Sequence, residues 1–275
     1  MNDRPDAPPD RHARAFVDTY DSRSYADPWE AIVDYRRVRA YHGRHPEHGR
    51  HRVGGALDLP ANRVRGWLEG GKPDVLHGYE TATEQGWLPF EPDTLTGRGL
   101  TALVAWTYAG GSVGREYNPR FAVGSIEEWD TLERVADVAG VDLAVSRAGE
   151  RGRANEYRPA EHACVLGRVL AALGAPVGGK NPDTSVVLPP YLSEASTPTR
   201  RTFVATYLLL RAHPQDTGVM TLREERSERY LRSLARLFES VLGGPVTVSD
   251  LNLVLSTDAA ERYRSWPGVL ADITA

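Results

Sequence analysis

The amino-acid sequence predicts an α+β protein: a small all-α domain, then a pseudo-symmetric duplicate of an αββαββα unit. Three observations carry that prediction. Two apolar, helix-like runs, Leu103–Ser112 and Phe203–Arg211, hold small residues where two helices can approach closely. Each run is followed by strand-like alternation and then by an amphipathic helix, in a similar order. Ahead of them, the apolar residues of the segment from 25 to 88 recur at helical spacing.

Composition bounds the possibilities. A chain of 275 residues has ample length for a core. It contains no apolar run long enough to span a bilayer, and its first residues are charged and proline-rich, which predicts no signal peptide. The expectation is a soluble, cytoplasmic protein. Cys164 is the one cysteine, which excludes an internal disulfide and a thiolate metal cluster. The net charge of −4 does not itself point to nucleic acid, so distribution matters more than the sum. The cations are 31 Arg and 2 Lys, Lys72 and Lys180.

Taken in order, residues 1–24 read as a disordered arm rich in Pro, Asp and Arg, in which Ala15-Phe16-Val17 is the one group able to dock. Asp27-Pro28-Trp29 reads as a helix start, with Asp27 as N-cap and Pro28 in the first turn. Trp29, Ile32, Val33, Tyr35 and Val38 form its inward stripe. His42, His45, His48 and His51 recur every third residue, but Pro46 and Gly49 interrupt any helix that would align them; a solvated loop or phosphate contact is expected rather than a metal site.

Residues 50–69 read as helix, turn, helix. Val53, Ala56 and Leu57 form one stripe, Leu59-Pro60 the turn, and Val64, Trp67 and Leu68 the second stripe. The outer face of the second helix is then Ala61, Asn62, Arg63, Arg65 and Gly66. This pattern resembles a helix-turn-helix of the resolvase and homeodomain-like kind, which implies that this face enters the major groove of double-stranded DNA. Between Tyr35 and Lys72 there are nine Arg or Lys against three acids, a basic segment inside an acidic chain. An arginine-coated structural helix pair accounts for the same pattern. The domain closes at Gly70-Gly71-Lys72, with a short helix around Tyr79–Gln85, and residues 89–96 read as a linker.

From Gly97 the predicted order is a helix to Ala109, strands at Ser112–Glu116 and Arg120–Ser125, a helix over 127–139, strands near Val141–Val145 and Glu156–Arg158, and a helix over 161–173. The second half repeats it with a helix from Arg200, one clear strand at Val219–Leu222, a long helix over 224–242, a hairpin (246–248 and 251–255) and a closing helix from Asp258. Arg226, Arg229, Arg232 and Arg236 fall at helical spacing and read as the solvated side of the long helix, partly paired with Glu225 and Glu228.

The region 97–275 resembles the LAGLIDADG homing-endonuclease family in its two-motif, single-chain form. Leu103–Ser112 and Phe203–Arg211 correspond to the two motifs, and Leu173–Lys180 with Val187–Leu192 to the connector between halves 97–180 and 198–275. The resemblance implies a LAGLIDADG-like pseudo-symmetric αββαββα duplicate preceded by a helix-turn-helix domain. Its paired motif helices would form the seam, and its strands a saddle over DNA. In nucleases of the family an acid near the end of each motif helix holds a divalent cation. Here the aligned positions are Gly110 and Leu210, and the earlier acid is replaced by Tyr108 and Leu208. No catalytic or metal-binding residue is therefore assigned, and no cofactor. Asp216 and Glu116 are the acids nearest the motif ends. The alternative reading is a magnesium-dependent homing endonuclease or maturase-like protein that uses displaced acids.

A saddle lacking its acids, joined to a helix-turn-helix, also resembles the WhiA-type regulators, with the two modules in reversed order. The expected function is sequence-specific DNA binding in transcription. The candidate contacts are Arg50, Arg52, Asn62, Arg63, Arg65 and Lys72 in the first domain and Arg115, Arg120, Arg147, Arg151, Arg153 and Arg223 on the saddle. A mixed-charge surface explains the saddle arginines equally well. No membrane partner is expected, and the internal duplication is compatible with a monomer.

Overall fold

A computed structural model describes residues 10–22, 24–180 and 186–269. They fall into two compact units, residues 1–89 and 90–275.

The N-terminal unit is all-α, with helices α1 (Arg11–Val17), α2 (Pro28–Arg44), α3 (Arg50–Leu57), α4 (Ala61–Leu68) and α5 (Asp74–Glu84). Part of the segment predicted as a disordered arm is helical, a correction to the sequence reading. Asp10 caps α1 by accepting from His12 N at 2.7 Å and Ala13 N at 2.9 Å. Ala13, Phe16 and Val17 are fully buried. Three apolar side chains and a cap hold one short helix where composition alone predicts none. Residues 1–9 of the predicted arm lie outside the described residues.

Helix α2 begins as expected: Pro28 occupies the first turn and Asp27 Oδ1 accepts from Trp29 N at 2.9 Å. Val38, Val53, Val64 and Trp67 form a buried cluster shared by α2, α3 and α4, with Tyr25, Tyr35, Tyr41, Leu57, Leu59 and Leu68 packed around it. The turn between α3 and α4 is tight. Asp58 is left-handed (φ 56°) and Leu59 N bonds Gly54 O at 2.9 Å. A Cβ on Gly54 would lie 2.7 Å from Leu59 O, so the turn requires glycine there. Helix α5 is longer than expected; its buried Val75, Leu76, Thr81 and Ala82 keep it against the unit.

The C-terminal unit is α+β. Its elements are α6 (Leu95–Ala109), β1 (Gly111–Val113), β2 (Pro119–Val123), α7 (Ile126–Val138), β3 (Leu143–Arg147), β4 (Asn155–Pro159) and α8 (Ala163–Ala172). After a 3-10 turn at Pro190–Ser193 come α9 (Thr197–Arg211), β5 (His213–Pro214), β6 (Met220–Arg223), α10 (Glu228–Leu242), β7 (Val246–Ser249), β8 (Asn252–Leu255) and α11 (Thr257–Arg264). Each half supplies one four-stranded antiparallel sheet, ordered β1-β2-β4-β3 and β5-β6-β8-β7. The second half therefore has a strand that the sequence reading lacked. Strand β5 is two residues long and includes Pro214, too short for alternation to register.

Helices α6 and α9 pack along each other at the centre. Every residue from Gly99 to Tyr108 is buried, so α6 is apolar all round, the signature of a helix enclosed on every side. Asp93 ties the two helix starts together: it accepts from Thr199 Oγ1 at 2.6 Å and from the Ser196 hydroxyl, and these bonds hold its carboxyl below the ordinary range. Thr94 caps α6 by accepting from Gly97 N at 3.1 Å, so the helix starts inside the stretch read as linker. Helix α10 starts later than expected, at Glu228, because Ser227 caps it by accepting from Tyr230 N at 3.3 Å. No helix among the described residues is long and apolar enough to cross a membrane.

Candidate nucleic-acid interface and the helix seam

On α4, Val64 and Trp67 point into the core, and Asn62, Arg65 and Gly66 are exposed. Arg52 of α3 is exposed as well, and Arg50 Nε lies 3.4 Å from His51 Nε2. Arg65 bonds Glu69 across one turn at 2.7 Å, and Lys72 bonds Glu80 at 2.7 Å. Each cation is held raised above its ordinary pKa by that partner first. Exposed pairs of this kind are screened by water and salt, so either cation exchanges a carboxylate for another anion at little cost. Arg63 differs from the sequence reading: it is half-buried and its guanidinium stacks over Tyr25 at 4.3 Å. It braces the helix pair instead of standing on the outer face.

The histidine series is interrupted by a turn over 45–49, as Pro46 and Gly49 predict. The turn between α2 and α3, not a helix, brings His45 and His48 ring to ring at 4.9 Å, and the ligand atoms of His45, Glu47 and His48 all lie within 4.8 Å of one another. Both ring nitrogens of His48 are engaged, with Tyr41 Oη at 3.0 Å and Glu47 Oε1 at 3.0 Å. In this arrangement the group knots the turn; a metal would have to displace one of those partners.

In the first sheet, β2 turns Phe121 and Val123 inward and leaves Arg120 exposed. The register places Ala122 opposite Glu156, so Arg120, Glu156 and Arg158 share the open face. Glu156 lies 2.7 Å from Arg147 and 3.8 Å from Arg120, and Arg120 also meets Ser146. Arg153 pairs with Glu150 at 3.2 Å. Arg115 and Arg151 are exposed, with no ion pair among the described residues. The second sheet differs. Its open face carries Thr221, Thr247, Ser249 and Asn252, and its one predicted contact, Arg223, pairs with Glu225 at 3.0 Å. The cationic excess thus belongs to the first sheet.

At the seam, Gly110 and Leu210 meet: a Cβ on Gly110 would lie 3.4 and 3.5 Å from the two Leu210 methyls. Asp216 is remote from that chemistry, exposed in the β5–β6 turn beside Gln215 and Thr217. What surrounds the end of α6 is cationic. Lys180 Nζ donates to Thr107 O at 2.6 Å and Gly111 O at 2.5 Å, with Tyr108 O at 3.5 Å. Arg226 Nη2 donates to Tyr108 O at 2.5 Å. Thr107 O and Tyr108 O belong to the last turn of α6, where intrahelical donors run out and the dipole favours cations, and Gly111 O opens β1 just beyond it. Glu224, 2% exposed, accepts from Arg211 Nε at 3.0 Å and from Arg226 Nε at 3.2 Å. The Arg226 guanidinium lies 4.8 Å from the Tyr230 ring centroid.

Sequence reasoning placed Arg226 on a solvated helix face, and the structure corrects this. It precedes α10, is 7% exposed, and pairs with Glu224 rather than Glu225. Lys180, Arg211 and Glu224 were also missed as a group. The one available signal was Glu224 and Arg226 continuing the in-out alternation of β6 past Arg223.

Burial first, then Arg226 and Arg211, push Lys180 down to about 8, against Glu224 and the carbonyl cage that favour its ammonium form. The folded value lies below the unfolded one, so between them the unfolded chain holds more protons and stability rises with pH. Wild type is therefore expected to gain about 1–3 kcal/mol over Lys180→Met between pH 8 and 10.5, read from urea unfolding across that range. A pH-independent difference would contradict it.

No family model matches the sequence, and no curated protein matches it. Among solved structures, the chain is similar to the N-terminal LAGLIDADG domain of DUF199/WhiA, at 11% identity and a TM-score of 0.43, over 69% of this chain and 93% of that one. A likeness of that size does not place this chain in that family.

Proposed function

We propose that this chain is a sequence-specific double-stranded-DNA-binding protein, a transcriptional regulator built on a catalytically silent LAGLIDADG-like scaffold. In this reading residues 25–88 form the helix-turn-helix domain and 89–96 the linker. Residues 97–275 form the duplicated domain, with halves 97–180 and 198–275. It acts in the cytoplasm, without a cofactor, and its internal duplication is compatible with a monomer.

One observation carries the reading: Asn62 and Arg65 stand exposed on the second helix of a tight helix pair whose inner side is fixed by Val53, Val64 and Trp67. Asn pairs with adenine and Arg with guanine edges at that position of a recognition helix. Arg50, Arg52 and Lys72 would supply phosphate contacts, and Arg115, Arg120, Arg147, Arg151 and Arg153 a second basic surface, with Arg223 contributing less. The silence of the scaffold follows from Gly110 and Leu210, whose side chains offer no oxygen to a cation.

The test is fluorescence anisotropy on genomic fragments selected by the protein. About five phosphate contacts give a log–log salt slope of about −4.5. Asn62→Ala and Arg65→Ala are each expected to weaken the selected site by about tenfold (about 1.4 kcal/mol) and to relax its sequence preference. Arg63→Ala should instead act through lost packing on Tyr25. An absent or salt-independent shift sinks the proposal.

A further inference from the structure

The seam bears a cavity of about 430 Å³, lined among others by Tyr108, Lys180, Arg211, His213, Glu224 and Arg226. Its walls hold four cations (Lys180, Arg211, Arg223 and Arg226) against two carboxylates, Glu224 and Glu225. The donors and acceptors can be followed one by one. Lys180 is taken by backbone carbonyls. Both oxygens of Glu224 are taken, by Arg211 and Arg226. Glu225 is taken by Arg223. Arg226 spends Nε on Glu224 and Nη2 on Tyr108 O. Its Nη1 is buried and has no hydrogen-bond partner among the described residues.

A guanidinium N–H removed from water with no acceptor is costly, and native proteins rarely leave one so. Arg226 is 7% exposed and lines the cavity. Among the described residues that line the cavity, both oxygens of Glu224 are engaged and Glu225 pairs with Arg223 through one oxygen, and the charge balance of these walls is positive. An oxygen of an anion fits both observations: it accepts from Nη1 and offsets the positive balance of these walls.

We infer that this cavity binds a small molecule bearing a phosphate or carboxylate group, whose oxygen accepts from Arg226 Nη1 with Arg211 flanking it. The volume admits a molecule of a few heavy atoms beyond the anionic group. This site does not depend on the DNA-binding proposal. It lies where the two halves of the unit meet, so occupancy would bias how α6 and α9 sit together.

The experiment uses the full chain with orthophosphate, pyrophosphate and malonate as probes, in calorimetric titrations and thermal-shift series at constant ionic strength. At least one probe is expected to bind saturably. Arg226→Lys keeps a charge for Glu224 but removes the free Nη1; Arg211→Gln removes the flanking charge from a partly exposed position. Each is expected to weaken binding about tenfold or more. Arg229→Gln, on the exposed side of α10, should change nothing. If Arg226→Lys fails to fold, Arg211→Gln decides alone. No saturable binding by any probe up to about 10 mM overturns the inference, as does affinity unchanged in Arg211→Gln. It is also overturned if both variants lose duplex affinity while no probe binds, which would assign the cavity to a DNA phosphate.

Discussion

Arg226→Ala is expected to destabilise the C-terminal unit by about 3–5 kcal/mol, among the largest single-residue effects in the protein. The reason is what the substitution leaves behind. Glu224 is 3% exposed at its side chain and would keep only Arg211 as a partner. Tyr108 O would lose its 2.5 Å donor at the end of α6, and the Tyr230 ring its cation. The loss is mostly the penalty of an uncompensated buried carboxylate, not the worth of the ion pair. The double variant Glu224→Gln with Arg226→Met is therefore expected to recover most of it. Urea unfolding followed by far-ultraviolet circular dichroism measures both. Arg232→Ala is the comparator: its pair with Glu228 leaves the two side chains 64% and 69% exposed. That change should cost well under about 1 kcal/mol. A loss in Arg226→Ala no larger than in Arg232→Ala would refute the account of a buried ion network.

Gly167→Ala is expected to cost about 3 kcal/mol or more, by forcing α8 off the backbone it rests on. A Cβ there would lie 1.8 Å from Tyr117 O and 2.6 Å from Tyr117 C. The obstacle is main chain, and Tyr117 is itself held at φ 56° in the β1–β2 turn. The Arg168 guanidinium also stacks on the Tyr117 ring at 4.2 Å, a second contact between α8 and this turn that a shift would disturb. Neither partner is the flexible end of a side chain. Gly110→Ala is the control: its Cβ would meet the Leu210 methyls at 3.4 and 3.5 Å and Ala122 O at 3.7 Å, all ordinary contact. It should stay within about 1 kcal/mol of wild type. The two melting temperatures, compared directly, test the claim; equal values would show that α8 can shift without cost.

Much of the architecture was readable from residue types. Local rules sufficed for Asp27 capping α2, for the Val64 and Trp67 stripe of α4, for Phe121 and Val123 alternating in β2, and for the Leu231, Leu234 and Phe238 stripe of α10. These patterns depend on periods of two and of 3.6 residues, which the chain carries in its own order. Where reading failed, the deciding partner was distant or the element short. Helix α1 exists because Phe16 and Val17 find a buried surface, and β5 because β6 holds two residues beside it.

The candidate site divides the same way. Asn62, Arg65 and the replacement of the motif acids by Gly110 and Leu210 are properties of residue type and spacing, open to inspection in the chain. That Gly110 faces Leu210 needed the packing of α6 on α9. So did the seam cluster. Arg226 has the spacing of a solvated stripe, and only its contact with Tyr108 O, 118 positions away, makes it a buried ion. Lys180 reaches carbonyls at the end of α6 and the start of β1, 69 to 73 positions earlier. Charge and hydropathy are local quantities; burial and hydrogen-bond partnership are relations between segments, and those exist only once the chain is folded.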